Sequence, residues 1–333
     1  MRLEWVPHID RFVPEWRKLH RETPTAHPFH SPQWVTAWYG TVGRLFWPRI
    51  LAGYEGDDLV MVWPFAATLR TWYVAGTGVS DYLDPLTRSP LSEQELEAIF
   101  EFILELRPAL VDLHQLPEEF PTFPQSEAFE QATCLQKTLP RSYDELLASL
   151  SASLRQDVRR GAKNPSLEFR WLDGPEFMPI FFELHRQRWA SKRLPGAFVL
   201  RGRQRFHEAF GMAGTGNNLH RFGVLYCDAE PIGAIYGLAS GNRAFFYQSG
   251  FDPERSKLSP GTVMIGEFMR RSIDEGATTF DFLRGEERYK MRWAPEGIKH
   301  NVRQIWPADA SIIGQVAKLH HHMDRWIREK LEN

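Results

Sequence analysis

The sequence has few cysteines and no long hydrophobic run. Cys134 and Cys227 are its only cysteines, and each lies in an apolar, strand-like context. Two thiols exclude a disulfide-rich fold and a cysteine-rich zinc site, so we expect both to be buried and free. The longest stretch without Asp, Glu, Lys or Arg, 23–43, contains three prolines and several polar side chains, so no membrane-spanning helix is expected.

Signatures of several common enzyme classes are also missing. The chain has no Gly-x-Ser-x-Gly nucleophile elbow, no Walker loop, and no His-Glu-x-x-His or Cys-x-x-Cys pair. We therefore expect no metal cofactor. The first ten residues, MRLEWVPHID, lack the apolar core of a signal peptide, and we expect a cytoplasmic protein.

The composition is that of an ordinary globular protein. Of the 333 residues, 43% are hydrophobic and 25% are charged, which excludes disordered and fibrous classes. A chain of this length predicts about two domains. The 12 tryptophans predict either large packed cores or surfaces on which sugars stack.

Charge is distributed unevenly along the chain. Residues 1–140 carry 11 Lys and Arg against 19 Asp and Glu, a net of −8. Residues 141–333 carry 29 against 23, a net of +6, and the segment 155–205 alone has a net of +7. A focused positive field of this kind predicts an anionic partner for the second half.

One order of elements occurs twice in the chain. It consists of three strands joined by short turns, a loop, a helix and a further strand. The first helix begins at Ser92, and Glu95 completes a capping box with it. The first copy comprises strands 48–55, 59–69, 71–76 and 109–116, and the second comprises strands 220–227, 231–239, 243–251 and 278–283 with a helix at 261–275.

Helical patterns precede each copy, and a domain boundary is expected near residue 140. They occur at 10–21 and 32–42 in the first half and at 175–192 and 203–213 in the second, with a helical linker at 142–164. A last amphipathic helix is predicted at 311–331. We therefore expect domains at 1–140 and 141–333.

This chain resembles the GNAT acyltransferase superfamily. The element order of that superfamily is two helices, a three-stranded meander, a crossover helix and a further strand. The tandem halves of the chain resemble the Fem-type aminoacyl transferases, and four segments are similar to CelD-type acyltransferases. These segments are HSPQWVTAWYG (30–40), GVSDYLDP (78–85), SLRQDVRRGAKN (153–164) and FDFLRGEERYKMRW (280–293). The resemblance implies an α+β fold of two tandem GNAT-like domains, each a mixed, mostly antiparallel sheet with helices on both faces.

The resemblance also implies where an acyl carrier binds. It enters between two splayed strands, with its phosphates at the N-terminus of the crossover helix, where backbone N–H groups are unpaired. We expect this site at Ser259, Gly261 and Thr262, with added charge from Arg255 and Lys257. The segment KLSPGT departs from the family's Gln/Arg-x-x-Gly-x-Gly/Ala loop by having one glycine. The first-half loop is acidic, so only 141–333 is expected to hold a carrier.

Three residues near the end of the second copy are the catalytic candidates. Lys290 is expected to be exposed and to stabilise an oxyanion or a donor phosphate. Tyr289 is a candidate acid for the leaving thiolate or hydroxyl. Asp281 lies between two phenylalanines, so it either faces solvent or is buried with a partner, for which Arg284 is a candidate.

Other residues are candidates for contacting the acceptor. Asp81 and Tyr82 lie in the long loop of the first half, where an acidic side chain suits recognition of an amine or formation of a local turn. Tyr247 precedes the carrier loop and is a candidate for contacting an acyl chain or for core packing. Arg284 is included because it follows the last strand of the second copy.

A basic stripe is predicted on the helix at 153–164. Arg155, Arg159 and Lys163 recur at helical spacing on one face, and Arg160 lies beside them. Such a stripe suits phosphates or a solvated surface equally. A second basic face on the helix at 175–192 contains Arg188.

These observations leave three functions open. The first is an N-acyltransferase that moves an acyl group from acetyl-CoA or another acyl-CoA to a small-molecule amine, with a sugar nucleotide or a cell-envelope precursor as candidate acceptors. The second, less favoured because the chain is near neutral, uses an aminoacyl-tRNA donor. The third is a catalytically silent GNAT-like binding protein in envelope polysaccharide assembly. No DNA partner is expected.

Overall fold

The computed structural model describes residues 1–123, 126–194, 196–213 and 219–307. The helix expected at 311–331 lies outside these residues. The helices are α1 (Ile9–Glu22), α2 (Pro32–Gly40), α3 (Glu93–Leu104), α4 (Tyr143–Ser149), α5 (Ala152–Ala162), α6 (Gly174–Ala190), α7 (Arg201–Ala213), α8 (Pro260–Asp274) and α9 (Arg288–Trp293). Short 3-10 helices occupy Pro28–His30 and Pro253–Leu258.

Thirteen strands lie within the described residues. They are β1 (Arg2–Trp5), β2 (Trp47–Glu55), β3 (Asp58–Ala67), β4 (Thr71–Val74), β5 (Leu86–Thr87), β6 (Leu110–Pro117), β7 (Glu127–Thr138), β8 (Leu167–Leu172), β9 (His220–Cys227), β10 (Glu230–Ser240), β11 (Arg243–Phe251), β12 (Thr279–Arg284) and β13 (Ile298–Pro307). The strands of both predicted copies are present.

The chain divides into two compact units. Among the described residues, unit 1 comprises those in 1–23, 43–132 and 300–307, and unit 2 comprises those in 24–42 and 133–299. This division differs from a single boundary near residue 140 for two reasons. Trp34 of α2 packs edge-on against Phe206 and Phe210 of α7, with ring centroids 4.8 Å apart in both pairs. β13 pairs with β6 and therefore belongs to unit 1.

Unit 1 is built on a mixed sheet. Its strand order is β1-β2-β3-β4-β6-β13, with β5 paired to β3. The pairing is antiparallel except between β4 and β6, which run parallel over three residues each and are connected through α3. The predicted capping box of α3 is present, because the Ser92 and Glu95 side chains each accept the other's backbone N–H.

Unit 2 repeats this arrangement. Its strand order is the part of β7 from residue 133, followed by β12, β11, β10, β9 and β8. Among the described pairings of this unit, β11 and β12 run parallel and are connected through α8, and the others are antiparallel. The meander β9-β10-β11, the crossover helix and the following strand correspond to β2-β3-β4, α3 and β6 of unit 1. The predicted fold class, α+β with a tandem repeat of a mixed sheet, is confirmed.

Helices cover both faces of the unit 2 sheet. Successive strand residues point to opposite faces. In β10, Tyr236 contacts Phe177 and Phe181 of α6, whereas a side chain at the next residue, Gly237, would collide with Phe268 of α8. Glycine is therefore needed where the sheet lies closest to α8, and the sheet is held between α6 and α8.

Two further expectations are met by the described residues. Cys134 and Cys227 are buried thiols, and they form no disulfide within the described ranges. Within the described ranges, no helix has both the length and the apolarity needed to cross a membrane.

Candidate functional site

The two parallel strands of unit 2 separate soon after they pair. β11 and β12 are in register only over Arg243–Phe245 and Thr279–Asp281. The register of β12 against β7 then shifts before Arg284, where Leu283 and Gly285 adopt positive φ angles of 57° and 111°. The chain turns away into α9, and this leaves a gap beside the second half of β11.

A cavity of about 270 Å³ lies at this gap. Its wall combines the end of β11, the start of α8, the helix α9 and one arginine of α6. Much of the wall is apolar or aromatic. The lining residues used below are Arg188, Ser249, Phe251, Tyr289, Arg292 and Trp293, together with the first turn of α8.

The first turn of α8 opens into this cavity. Ser259 has a left-handed backbone (φ 53°) and makes no side-chain capping bond to the helix. Pro260 is the first helical residue and carries no N–H. A side chain built at Gly261 would meet no atom within 4 Å. Ser259, Gly261 and Thr262 all line the cavity, so a helix N-terminus faces open space that suits an anionic group.

Two arginines stand beside this helix start. Arg160 donates to Ser259 Oγ at 3.5 Å and to Asp157 Oδ1 at 3.1 Å. Arg292 donates to the other oxygen of Asp157 at 3.0 Å. Asp157 thus orients both guanidinium groups, whose side chains remain 62% and 43% exposed and are accessible to a ligand.

The basic residues that the sequence favoured lie farther from the cavity wall. Arg155 is half-buried and donates to a backbone carbonyl of α4, and Arg159 is exposed. Arg255 and Lys257 are exposed on the 3-10 helix before α8. None of the four is among the residues that line the cavity, although Ser256, between the last two, is. Their predicted binding roles stay predictions.

Arg188 of α6 forms another part of the wall. Its Nη1 donates to the carbonyl and the hydroxyl of Ser249 at 3.0 and 2.8 Å. Its guanidinium carbon lies 5.1 Å from the ring centre of Phe251 and 5.8 Å from that of Tyr289. Arg188 Nε is buried, without an acceptor among the described residues. The hydrogen bonds from Arg188 to Ser249 hold the end of β11 in place at the gap.

Tyr289 lines the cavity, and its surroundings shift the pKa of its phenol. Burial is the main cause that raises the pKa of its phenol well above the ordinary value, and Glu287 adds to it, whereas Arg188 opposes the shift. A raised pKa keeps the phenol protonated at neutral pH. Tyr289 therefore can donate a hydrogen bond to a group inside the cavity.

Lys290 is not exposed, which corrects the sequence-based expectation. Only 4% of the residue is accessible. Its ammonium group donates to the carbonyl of Arg284 and pairs with Glu287 Oε2 at 3.0 Å. The charged segment GEERYK resembles a solvated loop, but its lysine folds back onto the chain that leaves β12. Lys290 is not among the cavity-lining residues, and its catalytic role stays a prediction.

Replacing Lys290 with alanine is expected to lower the free energy of unfolding by about 1–3 kcal/mol, because the buried Arg284 carbonyl contact and the ion pair are lost. Urea unfolding followed by circular dichroism measures this change. The exposed Lys18 of α1 is the control, and its alanine variant should change stability by less than about 0.5 kcal/mol. An unchanged stability with a large loss of turnover would contradict this structural role.

Asp281 is fully buried, and the structure identifies its partners. Its Oδ2 forms an ion pair with Arg243 at 3.0 Å and accepts from Gln136 Nε2 at 3.0 Å. Its Oδ1 accepts from the N–H of Leu283 at 2.8 Å. Asp281 therefore holds the backbone turn at which β12 ends. Arg284, the partner considered from sequence, is exposed beyond that turn.

The remaining candidates are packed within their own units. In unit 1, Asp81 and Tyr82 are 6% and 5% exposed, and the backbone carbonyl of Asp81 accepts from Asn301 Nδ2 at 2.6 Å. In unit 2, Tyr247 lies among aromatic rings, with centroids 5.5 Å from Trp34 and 5.1 Å from Tyr236. The rings around Tyr247 agree with its core-packing alternative, and the substrate contacts predicted for all three residues stay predictions.

Sequence reasoning did not assign Arg160, Arg188, Arg292 and Trp293 to the site. Arg160 was placed beside the basic stripe, yet it is the α5 arginine that reaches Ser259. Arg188 was identified only as part of a basic face. The usable signal for Arg292 and Trp293 was their position at the end of the segment FDFLRGEERYKMRW, which turns back over the cavity as α9.

Comparisons with known proteins agree with this geometry. Residues 148–291 match the sequence model described as the acetyltransferase (GNAT) domain. No curated protein matches the chain by sequence.

Solved structures resemble nearly the whole chain. FemX superposes with a TM-score of 0.69 at 11% identity, covering 91% of this chain and 97% of FemX. The C-terminal domain of a putative lysylphosphatidylglycerol synthetase from Agrobacterium fabrum gives 0.58 at 11% identity, covering 93% and 95%. A tandem GNAT protein from the clavulanic acid biosynthesis pathway gives 0.53 at 12% identity, covering 93% and 100%. Identities this low establish the fold alone.

The cavity of unit 2, with its splayed parallel strands and open helix N-terminus, lies within the segment that matches the family model, apart from Arg292 and Trp293 just beyond its end. Residues 148–291 therefore match the GNAT domain model in sequence, and the chain as a whole has a tandem fold that resembles those of FemX and the tandem GNAT protein.

Proposed function

We propose that the chain is an N-acyltransferase that moves an acyl group from an acyl-CoA to a small-molecule amine. The observation that carries the proposal is the first turn of α8, which opens with Gly261 and Thr262 into a largely apolar cavity beside Arg160 and Arg292. The helix start and the arginines suit the phosphates of the carrier. The aromatic wall suits an acyl chain.

The proposed reaction needs little from the protein beyond positioning and one donor. The amine nitrogen attacks the thioester carbonyl, a C–N bond forms, and the C–S bond breaks as the thiolate leaves. The proton lost by the amine passes to solvent, and the thiolate takes up a proton. Tyr289 donates a hydrogen bond to the leaving sulfur, and its raised pKa favours this hydrogen bond over complete proton transfer.

The finer assignments belong to the same proposal. A sugar nucleotide or a cell-envelope precursor is the candidate acceptor, Arg255 and Lys257 add positive field before α8, and the cytoplasm supplies the acyl-CoA. The similarity to FemX favours a second candidate, transfer from aminoacyl-tRNA. A silent GNAT-like binding protein is the third, and the single glycine of KLSPGT is the feature that favours it.

Replacing Thr262 with glutamate is expected to abolish the rise in melting temperature that acetyl-CoA or a longer acyl-CoA produces. Thr262 is the third residue of α8. A carboxylate there repels a phosphate, but it also interacts favourably with the helix dipole and so stabilises the helix. The unliganded variant should therefore melt no lower than the native protein. Differential scanning fluorimetry with and without acyl-CoA measures both quantities, because a ligand stabilises the native state by mass action.

The matched control is Thr262→Gln, which has the same size without the charge and should retain most of the ligand-induced shift. A shift that survives in Thr262→Glu would contradict a phosphate at this helix. Absence of any shift in the native protein, together with steeply salt-dependent binding of aminoacyl-tRNA, would favour the second candidate. Absence of both would favour the silent binding protein.

A further inference from the structure

A surface segment of unit 2 combines exposed aliphatic side chains with positive charge. Segment 191–205, SKRLPGAFVLRGRQR, follows α6 and includes the first five residues of α7, and all of it except Pro195 is described. It contains five Lys and Arg but no Asp or Glu. Leu194, Val199 and Leu200 are 50%, 59% and 65% exposed. Val199 and Leu200 are consecutive in the chain, and adjacent aliphatic side chains this accessible are a feature of interaction surfaces.

The segment is held in place by its own anchor. Phe198 is 6% exposed, and its ring lies 4.6 Å from His185 and 5.2 Å from Phe181, measured between centroids. Arg203 donates to the carbonyl of Ala197. Because Phe198 is fixed in the core, its neighbours Val199 and Leu200 are held outward.

The cations flank the aliphatic residues on both sides. Lys192 and Arg193 precede them, and Arg201 and Arg205 follow, and all four are exposed. A surface with apolar tips and flanking cations matches a bilayer whose headgroups are anionic, since the tips enter the acyl boundary while the cations meet phosphates. A nucleic acid would use the cations but leave the aliphatic tips unmatched.

We propose that segment 191–205 docks the protein on the surface of a membrane rich in anionic lipid. The segment begins at Ser191, just after α6 and three residues after Arg188, which lines the cavity. Docking there brings the cavity close to the lipid surface. The inference goes beyond acyl transfer and does not depend on it.

The experiment measures co-sedimentation of the full chain with vesicles. Vesicles of phosphatidylcholine alone are compared with vesicles that also contain phosphatidylglycerol. We expect binding only to the second, and each Lys or Arg near the anionic surface should strengthen it about fivefold. Arg201→Gln/Arg205→Gln should therefore weaken binding about 25-fold, and Val199→Ser/Leu200→Ser should abolish it.

Exposed residues outside the segment provide the controls. Leu69 is 87% exposed in unit 1, and Leu69→Ser should bind vesicles like the native chain. All variants change exposed positions, so their melting temperatures should match that of the native protein, which excludes unfolding as the cause of lost binding. Equal loss in Leu69→Ser would overturn the proposal.

Three further results would also overturn it. The first is that the native chain does not bind the anionic vesicles. The second is a native dimer that becomes monomeric in Val199→Ser/Leu200→Ser by light scattering, which would assign the surface to a second copy. The third is tight binding of tRNA, unaffected by the two serine substitutions, without vesicle binding.

Discussion

Replacing Asp281 with alanine is expected to lower the free energy of unfolding by about 3–5 kcal/mol, because removal of one member of a buried ion pair leaves the other uncompensated. Asp281 is fully buried. It forms an ion pair with Arg243 and accepts hydrogen bonds from Gln136 and from the N–H of Leu283. Urea unfolding monitored by circular dichroism and tryptophan fluorescence gives the free-energy change.

Two variants test the origin of this loss. Asp281→Asn keeps an oxygen for the N–H of Leu283 but removes the charge that faces Arg243, so we expect a smaller loss than with alanine. Asp274, exposed near the end of α8, is the surface control, and its alanine variant should change stability by less than about 0.5 kcal/mol. A double-mutant cycle with Arg243→Ala isolates the pair, with an expected coupling of about 0.5–3 kcal/mol.

The same variants separate a structural from a catalytic role. A catalytic carboxylate would make Asp281→Asn lose turnover by roughly 10² or more without loss of stability. We expect the opposite order of effects, with stability lost first and turnover per folded molecule reduced less than about tenfold, a loss short of that expected from removing a catalytic acid or base. An Asn variant of native stability without turnover would contradict the structural assignment.

Local patterns in the sequence predicted much of the fold. The alternation of the meander strands, the Ser92 and Glu95 capping box and the Pro260-Gly261 start of α8 are all signals that act within a few residues. The helix predicted at 261–275 ends at Asp274, and Gly276 just beyond it has a φ of 84°, a conformation that glycine adopts without a steric penalty. Features of this kind do not depend on distant parts of the chain.

Long-range pairing escaped prediction for a physical reason. The assignment of α2 to unit 2 depends on Trp34 meeting Phe206, and that of β13 to unit 1 depends on pairing with β6. No local periodicity encodes either partner. The site partly shares this character, because Arg188 is positioned by Ser249, which is 61 residues away. Lys290 makes a nearer contact, to the carbonyl of Arg284, but that contact depends on the turn at which β12 ends.

Replacing Tyr289 with phenylalanine is expected to lower turnover by roughly 10²–10³-fold, the usual effect of losing one preorganised donor in the transition state. The Michaelis constant for acyl-CoA should change little, because the ring that lines the cavity remains. The turnover of the native protein should also not fall as the pH rises through about 10, the ordinary pKa of tyrosine. Burial raises the pKa of Tyr289, so its phenol stays protonated there. The rate of release of the coenzyme A thiol measures the turnover, the Michaelis constant and the pH dependence.

Tyr143 supplies the matched control for this substitution. Its phenol also has a pKa raised by burial, to about 12, but it lies in α4 and is not among the cavity-lining residues. Tyr143→Phe should therefore keep native turnover and a native pH profile. If Tyr289→Phe raised the Michaelis constant for acyl-CoA while turnover stayed normal, the residue would be a wall of the acyl site. If neither constant changed, Tyr289 would have no role as a donor. The reaction would then depend on the positioning of the carrier and the amine alone, because proximity by itself supplies a large part of the rate of an acyl transfer.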